Sequence, residues 1–170
     1  QGNKNALYRL TDEYCSFYIK YIEKNKPTKT GIWNKLQRDS SYTSWAGFTF
    51  ETICMKHIDQ IKEALKIAGI HSISGSWIEK NKGNGAQIDL LIDRDDHVIN
   101  LCEIKFYNAP FTLDKNYAEE LLHKQNVFAQ STQTRKSIFL SFISTYGIIE
   151  NEYSKQIVQN SITLKDLFLD

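Results

Sequence analysis

The sequence GAQIDLLID at residues 85–93 is followed, after the polar segment RDDH at residues 94–97, by VINLCEIKF at residues 98–106. Each of the two apolar runs is short, rich in Ile, Leu and Val, and bounded by residues that favour turns. Such runs are typical of neighbouring β-strands joined by a tight connection. We therefore predict a β-hairpin whose turn is formed by residues 94–97.

This hairpin carries charged side chains where a buried strand should be apolar. Asp89 lies in the first strand, and Glu103 and Lys105 lie in the second. Side chains alternate between the two faces of a strand, so Glu103 and Lys105 share a face. Pairing around the turn places Asp89 opposite residues 101–103. Two carboxylates and one ammonium then meet on one patch of sheet, where a divalent cation with oxygen ligands would relieve the repulsion between the acids.

The rest of the chain alternates helical and strand patterns around this hairpin. Helices are predicted over residues 8–25 with Thr11 as N-cap, 46–68 with Gly69 as C-cap, and 115–131 with Asp114 as N-cap; further strands are predicted over 71–79, 137–143 and, at an edge, 157–162. Residues 26–44 are predicted to form a loop. Interleaved strands and helices of this kind predict an α/β or α+β fold with a mixed sheet.

Composition limits the class of protein. The chain has 170 residues, 41% of them hydrophobic, and a formal net charge of +1, so a nucleic-acid surface would have to be a local patch. No apolar run approaches the ~18–20 residues that cross a membrane, and no signal peptide is present, so we expect a cytoplasmic protein. The start without Met is expected of an excised fragment. Cys15, Cys54 and Cys102 are predicted to be reduced core residues.

The motif formed by Asp89 and Glu103-Ile104-Lys105 resembles the signature of the PD-(D/E)XK nuclease superfamily, the fold of restriction endonucleases. The wider chain is similar to the nuclease-like domain at the C-terminus of bacterial and archaeal AAA-type ATPases. The segments that carry this similarity are Tyr8–Tyr14, Trp45–Glu51, Gly85–Asp89, Cys102–Lys105 and Leu164–Phe168. One departure is Ile88, which stands where the superfamily signature has Pro.

The resemblance implies a restriction-endonuclease-like mixed sheet flanked by helices. It also implies two parts: a helical extension and linker over residues 1–44, which follows an upstream ATPase and winged-helix region, and a nuclease-like domain over residues 45–170. DNA and the upstream ATPase domain are the partners that this resemblance implies, and an oligomer is possible.

The resemblance further implies a catalytic set of Glu51, Asp89, Glu103 and Lys105. Asp89, Glu103 and the backbone carbonyl of Ile104 would hold Mg²⁺ or Mn²⁺, and Lys105 would position the attacking water or stabilise the transition state. On a helical wheel Glu51 lies at the edge of the apolar stripe, leaning toward the sheet. Glu51 can equally be a first-turn glutamate stabilised by the helix dipole.

Three further residues are predicted to bind substrate. Gln87 shares a strand face with Asp89 and could contact a phosphate or a water. Lys124 and Gln125 occupy the helix from which superfamily members often direct a basic or amide side chain toward the site, and the spacing does not decide between them. His57, on the apolar stripe of its helix, is predicted to be a satisfied core histidine.

Three functions stay open from the sequence. The first is metal-dependent hydrolysis of phosphodiester bonds in DNA. The second is a regulatory module that binds DNA or protein without cutting, which the near-neutral charge and the aromatic N-terminal helix favour. The third is a structural ion-pair cluster of Asp89, Glu103 and Lys105 in a domain that only mediates oligomers. The chain lacks a Gly-x-x-x-x-Gly-Lys-[Ser/Thr] loop, so we expect no ATP hydrolysis from it.

Overall fold

The computed structural model describes residues 10–23, 32–36, 39–80 and 85–168. The chain divides into two compact units, Gln1–Thr52 and Ile53–Asp170, which we call the N-terminal unit and the C-terminal unit. The predicted division into an extension and a nuclease-like domain concerns the modules of a longer protein and stays a prediction.

Within the described residues the elements follow each other in the order that the sequence pattern indicates for an α/β fold. They are α1 (Glu13–Phe17), a π-helical turn (Tyr18–Ile22), α2 (Ile32–Leu36), α3 (Ser40–Lys56), α4 (Ile58–Ala64), β1 (Ser72–Glu79), β2 (Ala86–Arg94), β3 (Val98–Lys105), α5 (Lys115–Thr132), β4 (Ser137–Ser144), α6 (Glu152–Ile157), β5 (Asn160–Thr163) and a 3-10 helix (Leu164–Phe168).

The first helix of the N-terminal unit begins at Glu13, later than the predicted range of 8–25, and its N-cap is one residue after the predicted one. The N-cap is Asp12 rather than Thr11, because the Asp12 carboxylate accepts the backbone N–H of Cys15 at 2.5 Å. Cys15 itself is exposed, so its predicted place in the core is wrong. The rings of four aromatic residues form the packing centre of this unit, with neighbouring centroids 5.4–6.1 Å apart: Phe17, Tyr21, Tyr42 and Trp45.

The predicted loop over residues 26–44 is wrong in two places. Residues 32–36 form α2, and α3 begins at Ser40. The sequence pattern did not reveal the cap, in which the Asp39 carboxylate accepts the backbone N–H of Ser41 at 2.7 Å. The side-chain hydrogen bond of Ser41 and this backbone bond lower the pKa of Asp39. The other residues of that range, 26–31, 37 and 38, lie outside the described residues.

The single helix predicted over residues 46–68 is instead two helices that meet at His57. The backbone of His57 has φ −113° and ψ 35°, which interrupts α3 and starts α4. As predicted, the ring of His57 has a partner, since Nδ1 lies 2.9 Å from the carbonyl oxygen of Ile53. The predicted C-cap at Gly69 is wrong, because α4 ends at Ala64 with Leu65 as its C-cap, and Lys66 takes the left-handed conformation (φ 60°) that usually favours Gly or Asn.

Five strands form one mixed sheet in the order β1-β2-β3-β4-β5, which confirms the predicted fold class. The pairs β1–β2 and β2–β3 are antiparallel, and the pairs β3–β4 and β4–β5 are parallel. The predicted hairpin is therefore β2–β3. Helix α5 begins at the predicted N-cap Asp114 and joins β4 in a core cluster of Leu113, Ala118, Leu121, Leu140 and Phe142.

The predicted edge strand over residues 157–162 is only partly right. Residues up to Ile157 form the end of α6, and the strand is limited to β5. Helix α6 begins with a capping box in which Asn151 and Ser154 exchange side-chain bonds with each other's backbone N–H groups. This local signal outweighs the β-branched pair at its end, Ile157 and Val158, that suggested a strand.

The β2 strand contains one extra residue at its middle. Its pairing with β1 runs Gly75 to Leu91 and then Trp77 to Ile88, so two steps in β1 match three steps in β2. The irregularity lies at Asp89 and Leu90. A bulge of this kind re-aims a side chain and ends regular pairing.

Candidate functional site

Asp89 lies where the β2–β3 ladder ends. The paired residues run from Asp93 and Ile99 to Leu90 and Cys102. One step further, the Oδ2 atom of Asp89 accepts the backbone N–H of Ile104 at 3.0 Å. The carboxylate therefore ties β3 to the bulge of β2, and this bond fixes the Asp89 side chain beside the backbone of the Glu103–Lys105 segment.

Glu103 is nearly buried, and 8% of its surface is exposed. Both of its carboxylate oxygens have partners on α5. The ammonium of Lys124 lies 2.8 Å from Oε2 and 3.1 Å from Oε1, and the hydroxyl of Tyr117 donates to Oε1 at 2.7 Å. Because a buried charge is costly unless it is paired, these two contacts from α5 are what keeps an ionised Glu103 in the sheet.

The two partners of Glu103 respond to the carboxylate in the same direction. Burial acts against the charged form of Lys124, but the Glu103 carboxylate outweighs it and raises the pKa of Lys124. Burial and the neighbouring Glu103 together raise the pKa of the Tyr117 hydroxyl. Both groups therefore keep their protons at neutral pH and remain donors to Glu103.

Lys105 joins the same cluster through aromatic rings. Its ammonium lies 5.1 Å from the centre of the Tyr117 ring and 6.0 Å from the centre of the Phe111 ring. These distances suit cation–π attraction. Tyr117 thus contacts both strand residues, Glu103 with its hydroxyl and Lys105 with its ring face.

The cluster around Glu103 contains one more positive charge than the strand motif alone indicates. Two acids and one base are visible in the strand motif, but Lys124 adds a second base from α5. With Asp89, Glu103, Lys105 and Lys124 ionised, the four side chains are neutral together. The ammonium of Lys124 also lies 3.5 Å from the carboxylate of Glu120, an exposed residue one turn earlier on α5.

The other predicted site residues have different outcomes. Gln125 lines the same small pocket as Glu103 and Lys124, so both members of the α5 pair are near the site, and Lys124 is the one that bonds Glu103. Gln87 is exposed on β2. Glu51 belongs to the N-terminal unit, so its predicted part in the site stays a prediction.

Tyr117 is a site residue that the sequence analysis did not identify. A signal was present, because Tyr117 precedes Lys124 by seven residues, which is two helical turns and therefore one face. Two polar side chains on the face of α5 that packs against the sheet would have to find partners there.

The site contains carboxylate oxygens that a divalent cation could use as ligands. Asp89 and Glu103 offer carboxylate oxygens on neighbouring strands, and Mg²⁺ is commonly bound through one or two carboxylates. Across the part of the chain that the structure describes, no group of three or more His, Cys, Asp or Glu side chains could hold a metal ion. Two carboxylates on neighbouring strands are the kind of donors that Mg²⁺ uses when water and substrate supply its other ligands.

Ser144 follows this cluster on β4, where it pairs with Lys105 across the parallel ladder. Its side chain is fully buried, and its hydroxyl has no hydrogen-bond partner among the described residues. Ser141, three residues earlier on the same strand, is equally buried but accepts a bond from the side-chain amide of Asn100 at 3.1 Å.

A family model described as archaeal and bacterial proteins of unknown function, DUF234, matches residues 14–122. The matched range is more than half of the chain; it includes Asp89, Glu103, Lys105 and Tyr117 and ends just before Lys124. No curated protein and no solved structure matches the chain. In the ranges that the structure describes, no helix is long and apolar enough to cross a membrane.

Proposed function

The chain belongs to the DUF234 family, and we propose that it hydrolyses phosphodiester bonds in DNA with the help of Mg²⁺ or Mn²⁺. The observation that carries this proposal is the arrangement of two carboxylates and a lysine on β2 and β3. Asp89 accepts the backbone N–H of Ile104, and the two residues that flank Ile104, Glu103 and Lys105, both contact Tyr117. The bulge of β2 at Asp89 adds support, because bulges are over-represented next to active sites, where they re-aim a side chain.

The proposed roles follow from the chemistry of each group. Asp89 and Glu103, with the carbonyl of Ile104, would hold the cation, which when bound lowers the pKa of a water and shields the phosphate charge. Lys105 stabilises negative charge that develops on the phosphate, because its ammonium is held in place by two rings. Glu51 is proposed to complete the acidic set.

Lys124 has a second role in this proposal. In the structure it neutralises Glu103, so an incoming cation competes with it for the same carboxylate. Once displaced from Glu103, the ammonium of Lys124 is next to the site and is available to contact a phosphate oxygen. Gln87 and Gln125 are the other proposed substrate contacts.

The upstream ATPase is part of the proposal through resemblance alone. The similarity of five segments to the C-terminal domain of AAA-type ATPases supports a longer protein with an upstream ATPase region. A restriction-endonuclease-like fold for the C-terminal unit has the same support, together with the mixed sheet and the carboxylates at its bulge.

The experiment is a cleavage assay on plasmid, single-stranded and branched DNA in Mn²⁺, in Mg²⁺ and in EDTA. Asp89→Asn, Glu103→Gln and Lys105→Met are expected to abolish metal-dependent cleavage. Glu120→Gln is the matched control, because Glu120 also contacts Lys124 but lies on the exposed side of α5. Cleavage that survives in Glu103→Gln, or that is lost equally in Glu120→Gln, would contradict the proposed site.

A second function, a binding module that does not cut, is favoured by the complete pairing of Glu103 with Lys124 and Tyr117. The variant Lys105→Ala separates the two functions. A nuclease loses cleavage and keeps most of its DNA binding in this variant. A binding module shows no cleavage in the unchanged chain and no effect on binding beyond the loss of one phosphate contact.

A further inference from the structure

The end of β3 presents an exposed aromatic ring close to the proposed site. Tyr107 follows the last residue of β3 by two positions and is 49% exposed. Its ring packs edge-to-face on Phe111, with centroids 5.5 Å apart. The same Phe111 ring lies 6.0 Å from the ammonium of Lys105. Tyr107 is therefore one ring away from the lysine that would face a phosphate.

The ring of Tyr107 is connected to the hydrophobic core through Phe111. Phe111 stacks on the fully buried Phe142, with centroids 5.3 Å apart and an interplanar angle of 24°. The backbone N–H of Tyr107 donates to the hydroxyl of Thr145 at 3.1 Å, and Phe111 exchanges backbone bonds with Gly147 and Ile149. The segment after β3 and the segment after β4 are thus hydrogen-bonded to each other, and they continue from the C-terminal ends of these two parallel strands.

A second exposed ring, Tyr146, lies on the bonded segment after β4 and is 58% exposed. Single exposed aromatic residues are common on protein surfaces and need no function. Tyr107 differs from such residues because its ring packs on Phe111, and the Phe111 ring is in turn 6.0 Å from the ammonium of Lys105. A cation that suits a phosphate and an exposed ring that suits a base are the two parts of a nucleotide-binding surface.

Resting on the proposed function, we infer that the nucleic acid held at this site is single-stranded, with an unpaired base stacked on Tyr107 while its phosphate faces Lys105. A base inside a duplex is already stacked and paired, so an aromatic ring on a protein surface can receive it only when it is unpaired. The net charge of +1 also gives only a weak electrostatic attraction for a duplex, which proteins bind largely by neutralising its phosphates. Stacking of a base on an aromatic ring does not depend on this charge.

The test measures binding in EDTA, so that cleavage plays no part. The probes are a fluorescein-labelled oligothymidylate of roughly 15 nucleotides, a duplex of the same length, and the same single strand with abasic sites in place of the bases. We expect the chain to bind the intact single strand more tightly than the duplex or the abasic strand. Fluorescence anisotropy gives the dissociation constants.

Variants separate the ring from its hydroxyl. Tyr107→Ala is expected to weaken binding of the single strand about 10-fold, and Tyr107→Phe, which keeps the ring, to stay within about twofold of the unchanged chain. Phe168→Ala is the matched control, since Phe168 is 61% exposed and its ring packs on His57, with centroids 4.9 Å apart. With the abasic strand, Tyr107→Ala should cause no further loss, because no base remains to stack.

Several results would overturn this inference. They are tighter binding to the duplex than to the single strand, equal losses of affinity in Tyr107→Ala and Tyr107→Phe, or no binding to the single strand. In the last case the exposed rings would be interpreted as a protein-binding surface. The cleavage assay is a separate readout. Stacking without cleavage would remove the nuclease proposal and keep this one, and cleavage without an effect of Tyr107 would do the reverse.

Discussion

Asp89 accepts a hydrogen bond from the backbone N–H of Ile104 at 3.0 Å, and this contact between a side chain and the neighbouring strand replaces ladder pairing at the bulge of β2. It gives the carboxylate a structural role beside any chemical one. A variant can therefore lose catalysis either because a ligand is missing or because β2 and β3 have separated, and the two causes need different substitutions.

The first prediction separates these causes at Asp89. Asp89→Asn keeps a side-chain oxygen that can accept the Ile104 N–H, so we expect its free energy of unfolding to fall by less than about 1 kcal/mol. Asp89→Ala removes the acceptor and should cost about 1–3 kcal/mol. Urea denaturation followed by circular dichroism measures both. An equal loss in the two variants would show that the Asp89–Ile104 bond does not stabilise the hairpin.

The second prediction concerns the ion pair that joins α5 to β3. The side chains of Glu103 and Lys124 are 10% and 19% exposed, so Lys124→Met leaves a nearly buried carboxylate with Tyr117 alone. We expect a loss of about 3 kcal/mol in the free energy of unfolding, and a smaller loss in the double variant Glu103→Gln/Lys124→Met, where no charge is left unpaired.

Its control is Lys115→Met. Lys115 and Glu119 lie 3.9 Å apart on the same helix, but their side chains are 69% and 64% exposed. An exposed pair of this kind contributes about 0.3–0.5 kcal/mol. A loss in Lys124→Met as small as that of Lys115→Met, measured by the same urea titration, would mean that water screens the Glu103 site more than its burial indicates.

The third prediction is a loss of stability in alkali. The pKa values of Tyr117 and Lys124 are both raised in the folded chain, so each group binds its proton more tightly there than in the unfolded chain. Their stabilising effect is complete below the ordinary values of about 10 and is lost as the pH rises through the raised values. We expect the melting temperature to fall above about pH 10, and to fall less in Tyr117→Phe.

The sequence predicted the sheet better than the site. The β2–β3 hairpin, α5 and β4 were predicted because their apolar residues follow the period of a strand or a helix. The bulge at Asp89 left no such trace, since β2 keeps its alternation of buried and exposed residues through it. Lys124 and Tyr117 reach Glu103 from α5. Their seven-residue spacing places them on one face of the helix, but it does not say which strand residue they meet. The errors at Asp12, Asp39 and Lys66 are all at helix ends, where one hydrogen bond moves a boundary.

The fourth prediction uses the three thiols. Cys15 is exposed, whereas Cys54 and Cys102 are buried, and burial raises the pKa of Cys102 to about 12. We expect one thiol to react with a maleimide in the native chain at pH 8 and three after denaturation. The Cys15→Ser variant should leave no fast-reacting thiol. Mass spectrometry of the labelled chain counts the adducts, and rapid native labelling of Cys102 would show that β3 opens.

The last prediction compares two buried serines of β4. Ser141 and Ser144 are both fully buried, but Ser141 accepts the Asn100 amide at 3.1 Å while Ser144 has no hydrogen-bond partner among the described residues. Removing one member of a buried hydrogen bond leaves the other unsatisfied and costs about 1–3 kcal/mol, which we expect for Ser141→Ala. Removing a hydroxyl that has no partner relieves a desolvation cost, so Ser144→Ala should leave the free energy of unfolding unchanged or raise it.

The two variants are controls for each other in a thermal denaturation series, because they make the same substitution at equally buried positions of the same strand. If Ser144→Ala is destabilised as much as Ser141→Ala, then the Ser144 hydroxyl is bonded in solution, and a water beside Lys105 is the partner to look for.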